Sequence, residues 1–143
     1  KIRTVDSAAE AVRDADVIVT ATRLTEKPEP DVPESWVRSG ALAISFDLDA
    51  VFEPDLFERA DRVYVDSVAD VEGLMARGLF GGGLPDHLTG ELGRLVAEKI
   101  PGRSADAERV ACLFAGLGAV DIVLARAIYD KACRLGAGTL LEL

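Results

Sequence analysis

Four short runs of apolar residues recur along the chain: Asp16–Thr22, Ala41–Phe46, Arg62–Asp66 and Arg109–Phe114. None alternates cleanly between apolar and polar positions. Runs of this length without alternation predict strands of a parallel sheet that is covered on both faces. Ile2–Val5 is a further short strand candidate.

Between these runs the apolar spacing changes to that of helices. Ser7-Ala8-Ala9-Glu10 reads as a capping box, with a short helix running through Val12. Pro33–Val37 predicts a single helical turn. Pro54 opens a helix through Ala60, and Ser67–Arg77 predicts another that Gly78 ends. Leu88, Leu92, Leu95 and Val96 recur at helical spacing and predict one helix over 88–99. The last, Ala119–Leu135, is apolar on most of its faces, so it should be buried against a sheet or another domain. Lys27–Pro33 holds three prolines and is a loop, and Gly81-Gly82-Gly83 sits in a mobile loop over 79–85. Strands alternating with helices predict an α/β fold.

Composition narrows the function. A chain of 143 residues that is 49% hydrophobic suits one domain with an ordinary core. A net charge of −9 argues against nucleic acid or an anionic membrane as partner, since both call for basic surface. No apolar run approaches a membrane span, and the mixed, charged start from Lys1 carries no secretory signal. Cys112 and Cys133 read as buried free thiols of a cytoplasmic protein.

In open parallel sheets, ligands bind beyond the carboxyl ends of the strands. Three such ends carry suggestive residues: Thr20-Ala21-Thr22, Phe46-Asp47-Leu48-Asp49 and Phe114-Ala115-Gly116. Asp47 and Asp49 could bind ribose hydroxyls or move protons, or could simply cap the following helix. Gly116 and Gly118 could admit a ligand or allow close packing where strand meets helix. Asp66 reads as the cap of the helix that follows it. His87, the single histidine, reads as a surface or loop residue, and no metal cluster is apparent. The glycine run 81–83 is not followed by Lys-Ser/Thr, so it is no P-loop.

The order of segments then becomes informative. SAAEAVRDADVIVTAT, WVRSGALAISFDLD, FERADRVYVDS, ELGRLVAEKIPGR and GLGAVDIVLARAIYDKACRLGAG follow one another along essentially the whole chain. Together they resemble the ornithine cyclodeaminase/mu-crystallin family. The resemblance implies a partial Rossmann-type parallel sheet with flanking helices, lacking the first βαβ unit. It implies residues 1–143 as the C-terminal half of an NAD(P)-binding domain. Residues 117–143 would then be a helix and tail packing on an absent substrate and dimerisation domain.

The resemblance also implies chemistry. The cofactor would be NAD or NADP, and the substrate a small amino acid or imine. The activity would be that of a cyclodeaminase, amino-acid dehydrogenase or cyclic-imine reductase working as a homodimer. The alternative is a non-catalytic small-ligand binder like mu-crystallin. Asp49 falls on the acid/base aspartate. Thr22, Phe46, Asp47, Leu48 and Phe114 fall on cofactor contacts, and Ala115 falls beside the substrate. Two departures accompany it. Ala50-Val51-Phe52 stands where ornithine cyclodeaminases carry a Pro-Gly-Lys-type stretch. Phe114 stands where a Ser or Asn donor is common. Nothing in residues 1–14 can serve as the family's Gly-x-Gly-x-x-Ala loop. A chain without that strand would leave Asp16–Thr22 at an open sheet edge.

Overall fold

The computed structural model describes residues 2–23, 27–139 and 141. Five parallel strands form one sheet: β1 (Val17–Thr20), β2 (Leu42–Ser45), β3 (Arg62–Val65), β4 (Gly90–Glu91) and β5 (Val110–Leu113). Their spatial order is β1-β2-β5-β3-β4, so the last strand inserts between the second and third. The helices are α1 (Ala8–Val12), α2 (Pro54–Arg59), α3 (Val68–Ala76), α4 (Leu92–Val96) and α5 (Gly118–Leu135), with one 3-10 turn at Glu34–Trp36. This is the partial Rossmann-type α/β sheet expected, and β1 is its edge.

The pairing register explains the core. Ile18, Ala43, Ala111 and Val63 lie side by side on one face, as do Thr20, Ser45, Leu113 and Val65. That face is sealed by Val12 of α1, Leu56 and Phe57 of α2 and Val71 of α3. The opposite face carries Val17, Leu42 and Val110 in one row and Ile44, Cys112 and Tyr64 in the next. Leu92 and Leu95 of α4 cover its β5–β3 end, where the Tyr64 hydroxyl donates to the Pro101 carbonyl at 2.7 Å. Val17 and Val19, at the β1 end of the same face, remain 57% and 56% exposed.

Three expectations change. Residues 2–5 form no strand and are largely exposed, because four residues with one apolar alternation find no partner strand. Glu10 does not complete the capping box. The Ser7 hydroxyl accepts from the Glu10 amide, but the Glu10 carboxylate takes Arg3 instead.

The helix expected over 88–99 is replaced by a strand and a shorter helix. Thr89 exchanges hydrogen bonds with Val63, and Gly90–Glu91 pairs with Tyr64–Val65. Gly90 sits at φ +143°, where a side chain would be strained and would also meet Ile100 at 2.9 Å. The reason lies in packing. Leu88 joins the core on one sheet face, whereas Leu92 and Leu95 join the cluster on the other. A single helix would put all three on one side.

The α5 helix stands clear of the core of this chain. None of its residues is buried, and Val120, Ile122, Val123, Leu124, Ile128 and Tyr129 are between 57% and 72% exposed. It does not lie on the sheet of this chain. Cys133 is exposed on it, while Cys112 is buried and its thiol is pushed up to about 11 by burial.

This arrangement predicts very different costs for two truncations. In the isolated chain, Leu56→Ala should destabilise by about 2–5 kcal/mol through loss of burial and the cavity left behind. Val123→Ser on α5 should stay within about 0.5 kcal/mol. Urea unfolding followed by circular dichroism measures both, and comparable losses would contradict the placement of α5.

Candidate functional site

The carboxyl ends of β1, β2, β3 and β5 converge at one rim of the sheet. Thr20 and Ser45 are register partners on the buried face, and Asp47 continues the same side of β2. Its carboxylate is fully buried. Oδ1 accepts from the Thr20 hydroxyl at 2.5 Å, while Oδ2 accepts from the Thr22 amide and the Thr22 hydroxyl, both at 2.8 Å. The Ser45 hydroxyl lies 3.0 Å from Asp47 Oδ1 and 2.7 Å from the Leu48 carbonyl, and its single proton serves one or the other. Burial alone would push the Asp47 carboxyl up. The hydrogen bonds from Thr20, Thr22 and Ser45 outweigh it and hold the group below its ordinary 3.8.

The chain then turns. Leu48 adopts φ +57°, a left-handed conformation that costs a β-carbon-bearing residue about 1–2 kcal/mol. Its side chain is buried and its carbonyl lies within reach of Ser45, which fix the turn. Asp49 follows, half-buried, with Oδ2 accepting from the Gly81 amide at 2.8 Å. The loop over 79–85, expected to be mobile, is therefore tied to the candidate aspartate. Its Phe80 is buried in the core.

One strand along, Phe46 and Phe114 stack at the ends of β2 and β5, with ring centroids 4.6 Å apart and planes 28° apart. Phe46 is 52% exposed. The two rings wall a cleft of about 490 Å³ that Ala115, Gly116, Gly118 and Asp66 also line. Gly116 holds φ +95°, and a β-carbon on Gly116 or Gly118 would meet nothing within 4 Å. These glycines therefore leave open space at the cleft and do not serve close packing within this chain. Asp66 and Asp121 line it, and among the described residues no Lys, Arg or His does.

Asp66 departs from its expected role. Ser67, not Asp66, caps α3, with its hydroxyl accepting from the Asp70 amide. The buried Asp66 carboxylate accepts from the amides of Ser67 at 2.9 Å, Ala115 at 3.0 Å and Gly116 at 2.8 Å. It thus clamps the turn after β5 to the end of β3. His87 is exposed, and its Nε2 lies 2.9 Å from the Ala60 carbonyl, far in role from the strand ends.

The sequence-derived residues thus fall into three local groups. Phe46, Phe114 and Ala115 share the cleft. Thr22 and Asp47 bind one another. Leu48 and Asp49 form the turn that leads from that pair to Gly81. Thr20, Ser45 and Asp66 were missed as site-building residues. Their signal was a polar residue at an inward position of an otherwise apolar strand, or just beyond its end.

The chain resembles known proteins in sequence and in fold. The model of the ornithine cyclodeaminase/mu-crystallin family matches residues 1–135. The chain belongs to this family. Among its relatives is N-((2S)-2-amino-2-carboxyethyl)-L-glutamate dehydrogenase of Staphylococcus aureus, 31% identical over 96% of this chain and 41% of the relative. Another is Delta(1)-pyrroline-2-carboxylate reductase of Bacillus cereus, 29% identical over 93% of this chain and 42% of the relative. In the solved structure of Delta(1)-pyrroline-2-carboxylate reductase of Thermococcus litoralis with NADH and L-proline, the likeness is 29% identity and a TM-score of 0.72. It covers 96% of this chain and 44% of that one. The chain thus spans well under half the length of these family members.

The Asp47 geometry carries a pH prediction. A carboxyl whose folded pKa is depressed stabilises the fold above its unfolded pKa, near 3.8, and that contribution is lost as pH falls through the folded value. The variant Asp47→Asn places an amide donor among donors, so it should lose about 1–3 kcal/mol at neutral pH. Between about pH 6 and about pH 3 its urea midpoint should fall less than that of the unsubstituted chain. Equal falls would remove Asp47 from the acid limb.

Proposed function

We propose that this chain supplies the C-terminal half of the nucleotide-binding region of an NAD(P)-dependent oxidoreductase acting at the Cα–N bond of a small amino acid or cyclic imine. The observation that carries this reading is the convergence, at the carboxyl rim of a parallel sheet, of the stacked Phe46–Phe114 pair with the turn that presents Asp49. The relatives support it, since two are named as imine reductases and one of those is solved with NADH.

The rim suits a planar cofactor ring. The cleft is open and walled by two aromatic side chains, and small residues let a ligand approach the backbone after β5. Phe46 and Phe114 would hold the nicotinamide side of NAD or NADP, with the backbone of Leu48 passing along it and Ala115 beside the substrate. When bound, the reduced nicotinamide supplies the hydride for imine reduction. Asp49 would give the accompanying proton to the nitrogen and take it back in the reverse direction. Thr22 and Asp47 serve this site through one another. The Thr22 amide and hydroxyl both donate to Asp47, so the two residues hold the two strand ends at fixed spacing beside the cofactor.

The exposed apolar face of α5 and the open edge of β1 fit a chain that covers both with a further domain or a second subunit. A cytoplasmic homodimer is the assembly we favour. Among the described residues no helix is long and apolar enough to cross a membrane.

Two measurements test the reading. The full-length protein should oxidise NADH or NADPH in the presence of a cyclic imino acid, and Asp49→Asn should lower kcat by about 10²–10⁴-fold. Unchanged turnover in Asp49→Asn would remove this residue from the proton path. Ligand binding without turnover would favour a binding protein. The isolated 143-residue chain should associate in light scattering and show no micromolar response to NADH in a fluorescence titration. A monomer with tight NADH binding would contradict the shared site.

A further inference from the structure

We propose that the backbone N–H of Gly81, in the loop after α3, is a positioning donor that fixes the Asp49 carboxylate for proton transfer; this rests on the proposed oxidoreductase function. The Gly81 amide donates to Asp49 Oδ2 at 2.8 Å across 32 positions of sequence. Among the described residues no other hydrogen bond or ion pair engages Asp49, so Oδ1 stays available to a substrate nitrogen. A carboxylate at the end of a turn has two free side-chain torsions. One charge-assisted hydrogen bond from a fixed donor removes most of that freedom.

The donor is fixed because its loop is anchored on both sides. Gly78 closes α3 by donating to Met75, and the Leu79 amide donates to the Leu74 carbonyl at 2.9 Å. Phe80, adjacent to Gly81, is buried in the core. Downstream, Leu84 and Leu88 pack against the same core, and Thr89 locks onto Val63.

The geometry separates two substitutions at one position. Gly81 does not lie in the left-handed region, and a β-carbon there would sit 3.5 Å from Asp49 Oδ2, an ordinary contact. Gly81→Ala therefore keeps the donor, whereas Gly81→Pro removes it. In the full-length protein with NADH and a cyclic imino acid, Gly81→Pro should lower kcat about tenfold or more, the scale of one charge-assisted hydrogen bond. KM should change by less than about threefold, since binding groups are untouched. Gly81→Ala should restore most of kcat.

A second measurement does not depend on how Gly81→Pro folds. Amide exchange at Gly81 should be about tenfold faster in Asp49→Asn, whose side-chain oxygen is a weaker, uncharged acceptor. Equal losses of kcat in the Ala and Pro variants, or Gly81 exchange indifferent to Asp49→Asn, would overturn the positioning role. No turnover of any imine by the unsubstituted protein would overturn the oxidoreductase reading instead. The exchange comparison would still report on the contact.

Discussion

A buried carboxylate holds the rim of this molecule together. Asp47 lies in the plane where β1 and β2 end, and among the described residues no ion pair engages it. Its charge is tolerated because Thr20 and Thr22 turn their protons toward it, with Ser45 within reach. The consequence reaches beyond the pair of strands. With Asp47 fixed, the chain must leave β2 in one direction. The left-handed Leu48 follows from that exit, and Asp49 is presented two residues later. Removing the carboxylate would unfasten two strand ends and the turn at once.

The same solution appears on the other side of β5. Asp66 at the end of β3 accepts three backbone amides and so clamps Ala115 and Gly116. Two anions, each neutralised by hydrogen bonds instead of ion pairs, thus bracket the central strand. The ion pairs lie elsewhere. Arg62 with Glu108, and Arg109 with Glu34, join residues at the entry side of the strands. Among the described residues, charge pairs fasten one end of the sheet, and carboxylate–amide contacts fasten the end that bears the cleft. Among the described residues that line the cleft there is no Lys, Arg or His.

The exposed surfaces tell a compatible story. Val17 and Val19 on the sheet, and the apolar residues of α5, are more than half exposed in this chain. They lie at separate places, an outer strand and a helix that stands away from the sheet.

The sequence by itself determined the class of fold and the identity of the rim. Apolar runs without alternation read as strands covered on both faces, although β1 keeps Val17 and Val19 exposed on one face. The small and acidic residues that ended them marked the rim at which Phe46, Asp47, Asp49 and Phe114 gather, and the resemblance placed β1 at the sheet edge. What the sequence could not determine was anything that depends on which elements become neighbours. β5 slots between β2 and β3 because parallel pairing is decided across 48 to 68 positions of chain, where local spacing carries no information. Leu88 and Leu92 sit at helical spacing yet belong to opposite faces of the sheet, a choice made by the partners waiting on each side. Thr20, Ser45 and Asp66 looked like ordinary strand-end residues until the register brought donors to carboxylates. The glycine loop looked free for the same reason. Its contact with Asp49 is a hydrogen bond between residues far apart in sequence, and only the folded sheet brings them within 2.8 Å.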